Sequence, residues 1–435
     1  MKILILSTSN PFKAAGIVSL DLYNGLKGIE GNEVKMVVKI WDDYSDRDII
    51  PMQRHYKQTK ENFVRRFKHL LKRFNIFESK KNLMNTDYLI QDIDQSVSYY
   101  STLEILNKID FNPDFIFVLF TQNFLSYKNI SELNLLTKAP VFQYLMDMAP
   151  FTGGCHYAWD CRGYTRECGK CPALFSNNPN DQTNRNWKFK KEYIKNTDIT
   201  IVAASEWQWL QINQSSLFEL KRKVKILSPT NSELFYTLGK IIARESLKIP
   251  AGKKIIFWGA IYPYEKRKGY RESIESFKIL YTRLSKEERD NIIVMVAGDI
   301  DTNFKKYISF DVHHLGYLNY VSLATAYCAA DVFLNASIED SGPTMINQSI
   351  MCGTPVAAFE MGVALDLVKT EVTGYMAKLG DSNDLCNAII SILRLSETEY
   401  KKMSNNCREL ALAECSFKKV AADFQKLMMG NGDLK

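Results

Sequence analysis

The sequence predicts an α/β protein made of two Rossmann-like, doubly wound domains facing a central cleft. Three observations carry that expectation. Short continuous apolar runs recur along the chain, as parallel strands covered on both faces require. They alternate with segments whose apolar residues are spaced for helices. The same order then starts again after the break Ser228-Pro229-Thr230-Asn231.

Taken in order, residues 2–6 (KILIL) read as a first strand, and a Ser/Thr/Asn/Pro loop follows. Gly16–Leu26 places Ile17, Leu20, Leu22 and Leu26 at helical spacing, and residues 33–40 (EVKMVVKI) form the next strand. This βαβ opening is the unit of a doubly wound sheet. FIFVLF (115–120), APVFQYL (139–145) and DITIVAAS (198–205) continue it. Beyond residue 228 the strands are KKIIFWGA (253–260), NIIVMVAG (291–298), ADVFLNAS (330–337) and TPVAAFE (354–360). The expected division is an N-terminal domain over 1–228, a second domain over 229–410, and a closing helix within 411–435 that packs back on the first domain.

The chain has 435 residues, 46% apolar and 24% charged, which is ordinary globular composition and excludes wholesale disorder. A formal charge of +7 is mild for this length; it suits anionic small molecules rather than nucleic acid. No run approaches the ~20 apolar residues of a membrane span. The first apolar run is too short for a signal peptide, so the expected location is cytoplasmic.

Residues 54–81 interrupt the first domain with ten Lys/Arg against Glu61 and Glu78. Phe63, Phe67, Leu70, Leu71 and Phe74 recur at helical spacing, giving a basic amphipathic helix. Two readings stay open: an ordinary domain helix with solvated charges, or a segment lying on an anionic membrane surface at its inner face.

The most informative stretch is 336–362, ASIEDSGPTMINQSIMCGTPVAAFEMG. A strand ends in the polar turn Glu339-Asp340-Ser341-Gly342, and Pro343 stands where a first helical residue should be. The helix from Thr344 stops at Gly353, and Pro355 prevents its continuation. A strand, a glycine turn and a helix start make an anion-binding geometry, because the first helical N–H groups are free and the dipole end is positive. Asp340 and Gln348 are placed to face one ligand. Gly259-Ala260 and the cluster Lys266-Arg267-Lys268-Gly269 follow another strand in the same domain. Cations at a strand end opposite a helix start suit a diphosphate.

These residues resemble the family-4 retaining glycosyltransferases of the GT-B fold. The resemblance runs through Arg267-Lys268-Gly269, Ala297-Gly298, Leu315-Gly316-Tyr317-Leu318, Ala329-Ala330-Asp331, Cys352-Gly353-Thr354-Pro355 and Thr373-Gly374-Tyr375. It places Asp340 and Gln348 where that family usually has two Glu. Asp reaches one methylene less far, and Gln keeps an acceptor while adding a donor. The resemblance implies a sugar moved from a nucleoside diphosphate donor to a hydroxyl acceptor with retention, without a catalytic metal. It implies Arg267, Lys268 and Asp340 as catalytic residues. Donor contacts would come from Gly16, Gly259, Tyr317, Leu318, Asp340, Ser341, Gly342, Pro343, Thr344 and Gln348, with the base near Tyr317-Leu318 and the ribose at Gln348. The family context implies a glycan or lipid-linked acceptor in surface polysaccharide or lipid-linked oligosaccharide synthesis.

Four of the nine cysteines, Cys155, Cys161, Cys168 and Cys171, crowd into the 150–180 region as C-x5-C-x6-C-x2-C. In a reducing compartment that pattern points to a structural zinc site, with two disulfides or unliganded thiols as the other options. The run Asp147-Met148, then Pro150–Tyr157, resembles a cysteine-containing insertion in some bacterial members of the same family. Asp147 and His156 flank Gly153-Gly154 at a strand end and are expected on the acceptor side. The Asp-x-Asp pairs Asp92/Asp94 and Asp299/Asp301 read as polar loops, with diphosphate-bound metal as the alternative. A nucleotide-sugar epimerase or a phosphorylase on the same fold, and a non-catalytic nucleotide-sugar binder, are the competing functions.

Overall fold

A computed structural model describes residues 1–8, 10, 16–40, 46–53, 84–90, 92–299, 302–342 and 344–430. The basic helix expected over 54–81, the loop residues Ala14 and Ala15, Asp301 and Pro343 lie outside the described residues.

The chain divides into two compact units: residues 1–203, 209–225 and 425–435, and residues 204–208 with 226–424. Unit 1 contains a seven-stranded sheet of order β3-β2-β1-β4-β5-β6-β7, parallel throughout. Its strands are β1 (Lys2–Ser7), β2 (Glu33–Ile40), β3 (Ile49–Gln53), β4 (Phe115–Val118), β5 (Val141–Tyr144), β6 (Ile199–Ala203) and β7 (Lys223–Lys225). Unit 2 contains a six-stranded parallel sheet of order β10-β9-β8-β11-β12-β13. Its strands are β8 (Lys254–Ala260), β9 (Ile292–Gly298), β10 (Asp311–Gly316), β11 (Val332–Asn335), β12 (Val356–Phe359) and β13 (Gly374–Ala377). Both are the doubly wound α/β arrangement expected; within unit 1, Gln425 accepts a hydrogen bond from Asn32.

Burial explains which strands were legible. Ile3 to Leu6 in β1 are fully buried, and the central strands of unit 2 feed alternate residues into two cores. Ile255, Phe257 and Phe333 enter one core; Ile256, Trp258 and Leu334 enter the other, because successive side chains leave a strand on opposite faces. The strands missed, β3, β7, β10 and β13, are the four edge strands of the two sheets. β10 (DVHHLG) has no fully buried residue, so it lacks the apolar run that marks a central strand.

In both sheets the strand order reverses once, between β1 and β4 in unit 1 and between β8 and β11 in unit 2. At such a point the loops leaving the C-terminal strand ends diverge and open a crevice where ligands bind.

Candidate active site

The unit 2 crevice is walled by the loop after β8, residues 261–269, and the loop after β11, residues 336–342. Their backbones are stitched together: Ile338 and Glu339 both donate to the Arg267 carbonyl, at 2.8 and 3.3 Å. Gly269 makes this possible. It begins the helix Tyr270–Arg283 at φ +65°, and a Cβ there would lie 1.7 Å from the Ala336 carbonyl oxygen. Any side chain would therefore force the two loops apart.

The side chains meet as the backbones do. Asp340 Oδ2 pairs with Arg267 at 2.7 Å and with Lys268 at 2.5 Å, while Glu265 holds Arg267 Nε at 2.8 Å. Asp340 is only 6% exposed. Burial works to raise its pKa, but Lys268 and Arg267 outweigh that and hold the carboxyl below the usual carboxylate range. Burial likewise pushes Lys268 below the ordinary lysine range, against the pull of Asp340. Two cations are thus balanced by two carboxylates beside the start of the helix Thr344–Met351. Asp340 Oδ1 accepts from the Gly342 N–H at 3.3 Å, and the buried Ser341 hydroxyl has no hydrogen-bond partner among the described residues.

The remaining donor-side expectations fall less evenly. Gln348, one turn into that helix, is buried, and its Oε1 accepts from the Tyr327 hydroxyl at 3.3 Å. Its acceptor is therefore engaged within the fold. Gly259 lacks a side chain for a packing reason, since a Cβ would lie 2.2 Å from the Ala297 carbonyl of the adjacent strand. Tyr317 is 66% exposed and Leu318 half-buried just beyond β10, at the same C-terminal sheet edge. Gly16 opens the first helix of unit 1, Gly16–Lys27, after β1.

In unit 1, Asp147 and His156 do come together, with His156 Nδ1 2.8 Å from Asp147 Oδ2. Between them Lys190, fully buried, donates to the Ala149 and Thr152 carbonyls at 2.6 and 2.8 Å. The sequence offered no signal for this lysine beyond its place in the helix Gln182–Lys195, whose N-cap Asp181 accepts from Thr183 and Asn184. Burial pushes Lys190 down to about 8, although neighbouring Cys168, Cys155 and Asp147 pull the other way. Between about pH 8 and the ordinary lysine value of 10.5, the unfolded chain holds a proton that the folded one has lost. The contribution of Lys190 to stability therefore rises with pH across that window, and below it the cost of the buried charge is fully present. Buried thiols such as Cys155, Cys168 and Cys407, pushed up by burial, work in the opposite direction in both the native protein and Lys190→Met, so the test is the difference between them. Urea midpoints at the two ends should show the native protein gaining on Lys190→Met as pH rises, and a constant difference would contradict it.

The cysteine expectation needs correction. All nine cysteines are free thiols. Cys161 and Cys168 both lie near Gly163, with sulfurs 3.6 and 3.5 Å from where its Cβ would be. Yet among the described residues no three His, Cys, Asp or Glu side chains form a group able to hold a metal. Cys155, Cys161, Cys168 and Cys171 therefore do not assemble the expected zinc site. The sulfurs serve the local fold instead: Cys168 accepts from the Gly153 N–H at 3.1 Å and Cys161 from the Gly163 N–H at 3.5 Å. Gly153 is glycine because the helix Gln182–Lys195 packs there, its Thr183 carbonyl 2.5 Å from any added Cβ. Asp92 and Asp94 are likewise occupied in loops, accepting from Asn123 and Ser96 backbone N–H groups. No helix among the described residues is long and apolar enough to cross a membrane.

Residues 240–410 match the family model described as glycosyl transferases, group 1. Among solved structures, the chain is similar to the sucrose-phosphate synthase of Thermosynechococcus elongatus, with 16% identity, TM-score 0.64, and 99% and 98% of the two chains covered. It is similar to Anabaena HepE in complex with UDP and glucose, with 14% identity, TM-score 0.59, and 99% and 100% covered. A glycosyltransferase from Rickettsia africae aligns with 14% identity, TM-score 0.62, and 99% of both chains covered. No curated protein sequence matches the chain. At these identities the likeness establishes the fold, two Rossmann-like parallel-sheet domains as in GT-B glycosyltransferases.

Proposed function

We propose that this chain is a retaining glycosyltransferase that moves a sugar from a nucleoside diphosphate donor to a hydroxyl acceptor. The observation that carries the reading is the junction of Arg267, Lys268 and Asp340 at the turn before the helix Thr344–Met351, in the crevice of unit 2. It is supported by the group 1 family match over the same residues and by the UDP and glucose in the Anabaena neighbour.

In this reading the diphosphate takes its place against Arg267, Lys268 and the N–H groups of the turn Ser341–Thr344. The base sits by Tyr317-Leu318, and Gln348 offers its amide end to the ribose. As the bond from the anomeric carbon to the phosphate oxygen breaks, negative charge grows on the leaving group. Cations already oriented by Asp340 and Glu265 meet that charge without rearranging, so they stabilise the transition state more than the ground state. The new bond forms from the acceptor oxygen on the same face, and the acceptor proton passes to the departing phosphate. The step as proposed assigns no work to a metal. Asp147 and His156 of unit 1 act on the acceptor side, and the acceptor is a glycan or lipid-linked saccharide of surface polysaccharide assembly. Peripheral attachment at the inner face of a membrane belongs to the same proposal.

Incubating the protein with a panel of nucleotide sugars, with and without saccharide acceptors, tests it. Acceptor-dependent release of nucleoside diphosphate with retained anomeric configuration in the product is expected. Interconversion of the donor sugar without acceptor would replace the reading with an epimerase, and binding without consumption would replace it with a non-catalytic binder.

A further inference from the structure

Asp147 lies just past the end of β5, and its carboxylate is surrounded by donors. Oδ1 accepts from the Ala149 N–H at 2.8 Å; Oδ2 accepts from Gln122 Nε2 at 3.2 Å and faces His156 Nδ1 at 2.8 Å. Gln122 stands beyond β4, and its carbonyl accepts from the Thr8 hydroxyl beyond β1 at 2.9 Å. One polar chain therefore crosses three strand ends, β1, β4 and β5, at the point where the order of this sheet reverses. Asp147 is 6% exposed; burial works to raise its pKa, but His156, the Ala149 N–H and Lys190 hold it below the usual carboxylate range. A carboxylate with three donors already on it has little left for a ligand.

The histidine is the part still on offer. Its backbone is pinned on both sides, the N–H donating to Tyr88 O at 3.1 Å and the carbonyl accepting from Met148 N–H at 3.0 Å. Lys190 ties down the intervening turn through the Ala149 and Thr152 carbonyls. Because an ionised carboxylate only accepts, Nδ1 must carry the hydrogen, and in the neutral imidazole Nε2 then has the lone pair. Nε2 meets no protein group among the described residues, and the side chain keeps 9% of its surface open. A carboxylate behind an imidazole also makes the opposite nitrogen a better acceptor.

We infer that His156 Nε2 is a specificity-determining contact for a saccharide acceptor, accepting a hydrogen bond from a hydroxyl other than the reacting one, with Asp147 as its positioning residue. This rests on the transferase reading for its meaning, since the reacting hydroxyl gives its proton to the phosphate. It narrows the acceptor class to polyhydroxylated molecules and makes simple monohydric alcohols poor acceptors. A site built to receive a hydroxyl is penalised when the ligand lacks it, because its acceptor is then desolvated without return.

The test uses the full chain labelled with ¹⁵N-histidine, which contains five histidines. His156→Asn assigns the signal: its amide can still donate to Asp147, but nothing stands at Nε2. The native protein should show the Nδ1–H tautomer at His156. Its Nε2 resonance should move when methyl glycosides of common hexoses are added to about 100 mM, the range expected of single-sugar contacts. Asp147→Asn should abolish the fixed tautomer. In transfer assays His156→Asn should raise the acceptor KM by about tenfold while kcat and donor affinity hold. An Nε2–H tautomer, an unmoved resonance, or an unchanged acceptor KM would overturn the inference. A native protein that consumes no donor would instead overturn the transferase reading, and the titration with glycosides would still decide the histidine contact.

Discussion

Lys268→Ala is expected to lower turnover by about a hundred- to a thousand-fold, the scale measured when one pre-oriented group facing transition-state charge is removed. Under the proposed function this lysine, rather than its neighbour, is the decisive cation. Arg267 is held by two carboxylates, Asp340 and Glu265, whereas Lys268 has an ion pair with Asp340 alone. Its charge is consequently the more available to an incoming phosphate. The fold should tolerate the change, because the buried Asp340 keeps Arg267 and the Gly342 N–H as partners. Initial rates of nucleoside diphosphate release, with far-ultraviolet circular dichroism as the control for folding, provide the measurement. Turnover within tenfold of the native protein would remove the diphosphate from this crevice.

Asp331→Ala is expected to have the largest effect on stability, lowering that of unit 2 by about 3–5 kcal/mol. Asp331 precedes β11 at the N-terminal sheet edge and is 5% exposed. Its Oδ2 accepts from Arg244 at 2.7 Å and from the Ile255 N–H at 2.6 Å, and Oδ1 accepts from Lys240 at 2.7 Å. Arg244 is itself 5% exposed and also donates to the carbonyls of Ala329, Ala251 and Lys253. Those carbonyls satisfy its hydrogen bonds but not its charge. Removing Asp331 leaves a buried guanidinium without a counter-ion and an N–H of β8 without an acceptor, and both losses fall on the folded state alone. Urea unfolding should register the change through a lower midpoint with an unaltered slope. The folded fraction should keep its catalytic rate, since Asp331 lies at the sheet edge opposite the crevice. A loss below about 1 kcal/mol would show that water reaches Arg244 and that the pair is effectively a surface one.

These two aspartates illustrate how differently a site and a scaffold are written in sequence. Asp340 could be singled out because it sits in a turn between an apolar strand and a proline-started helix, a local pattern with a local meaning. Asp331, in Ala329-Ala330-Asp331, offered only a family resemblance; its partners are 87 and 91 residues away along the chain, and no spacing rule joins them. The same contrast holds in unit 1. Asp147 and His156 were legible as polar residues flanking a glycine pair, whereas Lys190 looked like one more helix-surface cation. Conversely, the cysteine spacing suggested a metal that the arrangement of the four thiols does not provide.

By itself the sequence determined the two parallel sheets, because strands covered on both faces carry continuous apolar runs, as β1, β4, β8, β9 and β11 do. It also determined the polar turn that precedes the helix Thr344–Met351, whose parts are neighbours in the chain. Only the tertiary structure decided which side chains share a carboxylate, which glycines serve packing rather than ligands, and which histidine nitrogen stays open. Those outcomes depend on distances across loops that meet only when the sheet forms, and on burial, which sets how strongly each charge must be answered. Local pattern cannot encode either quantity.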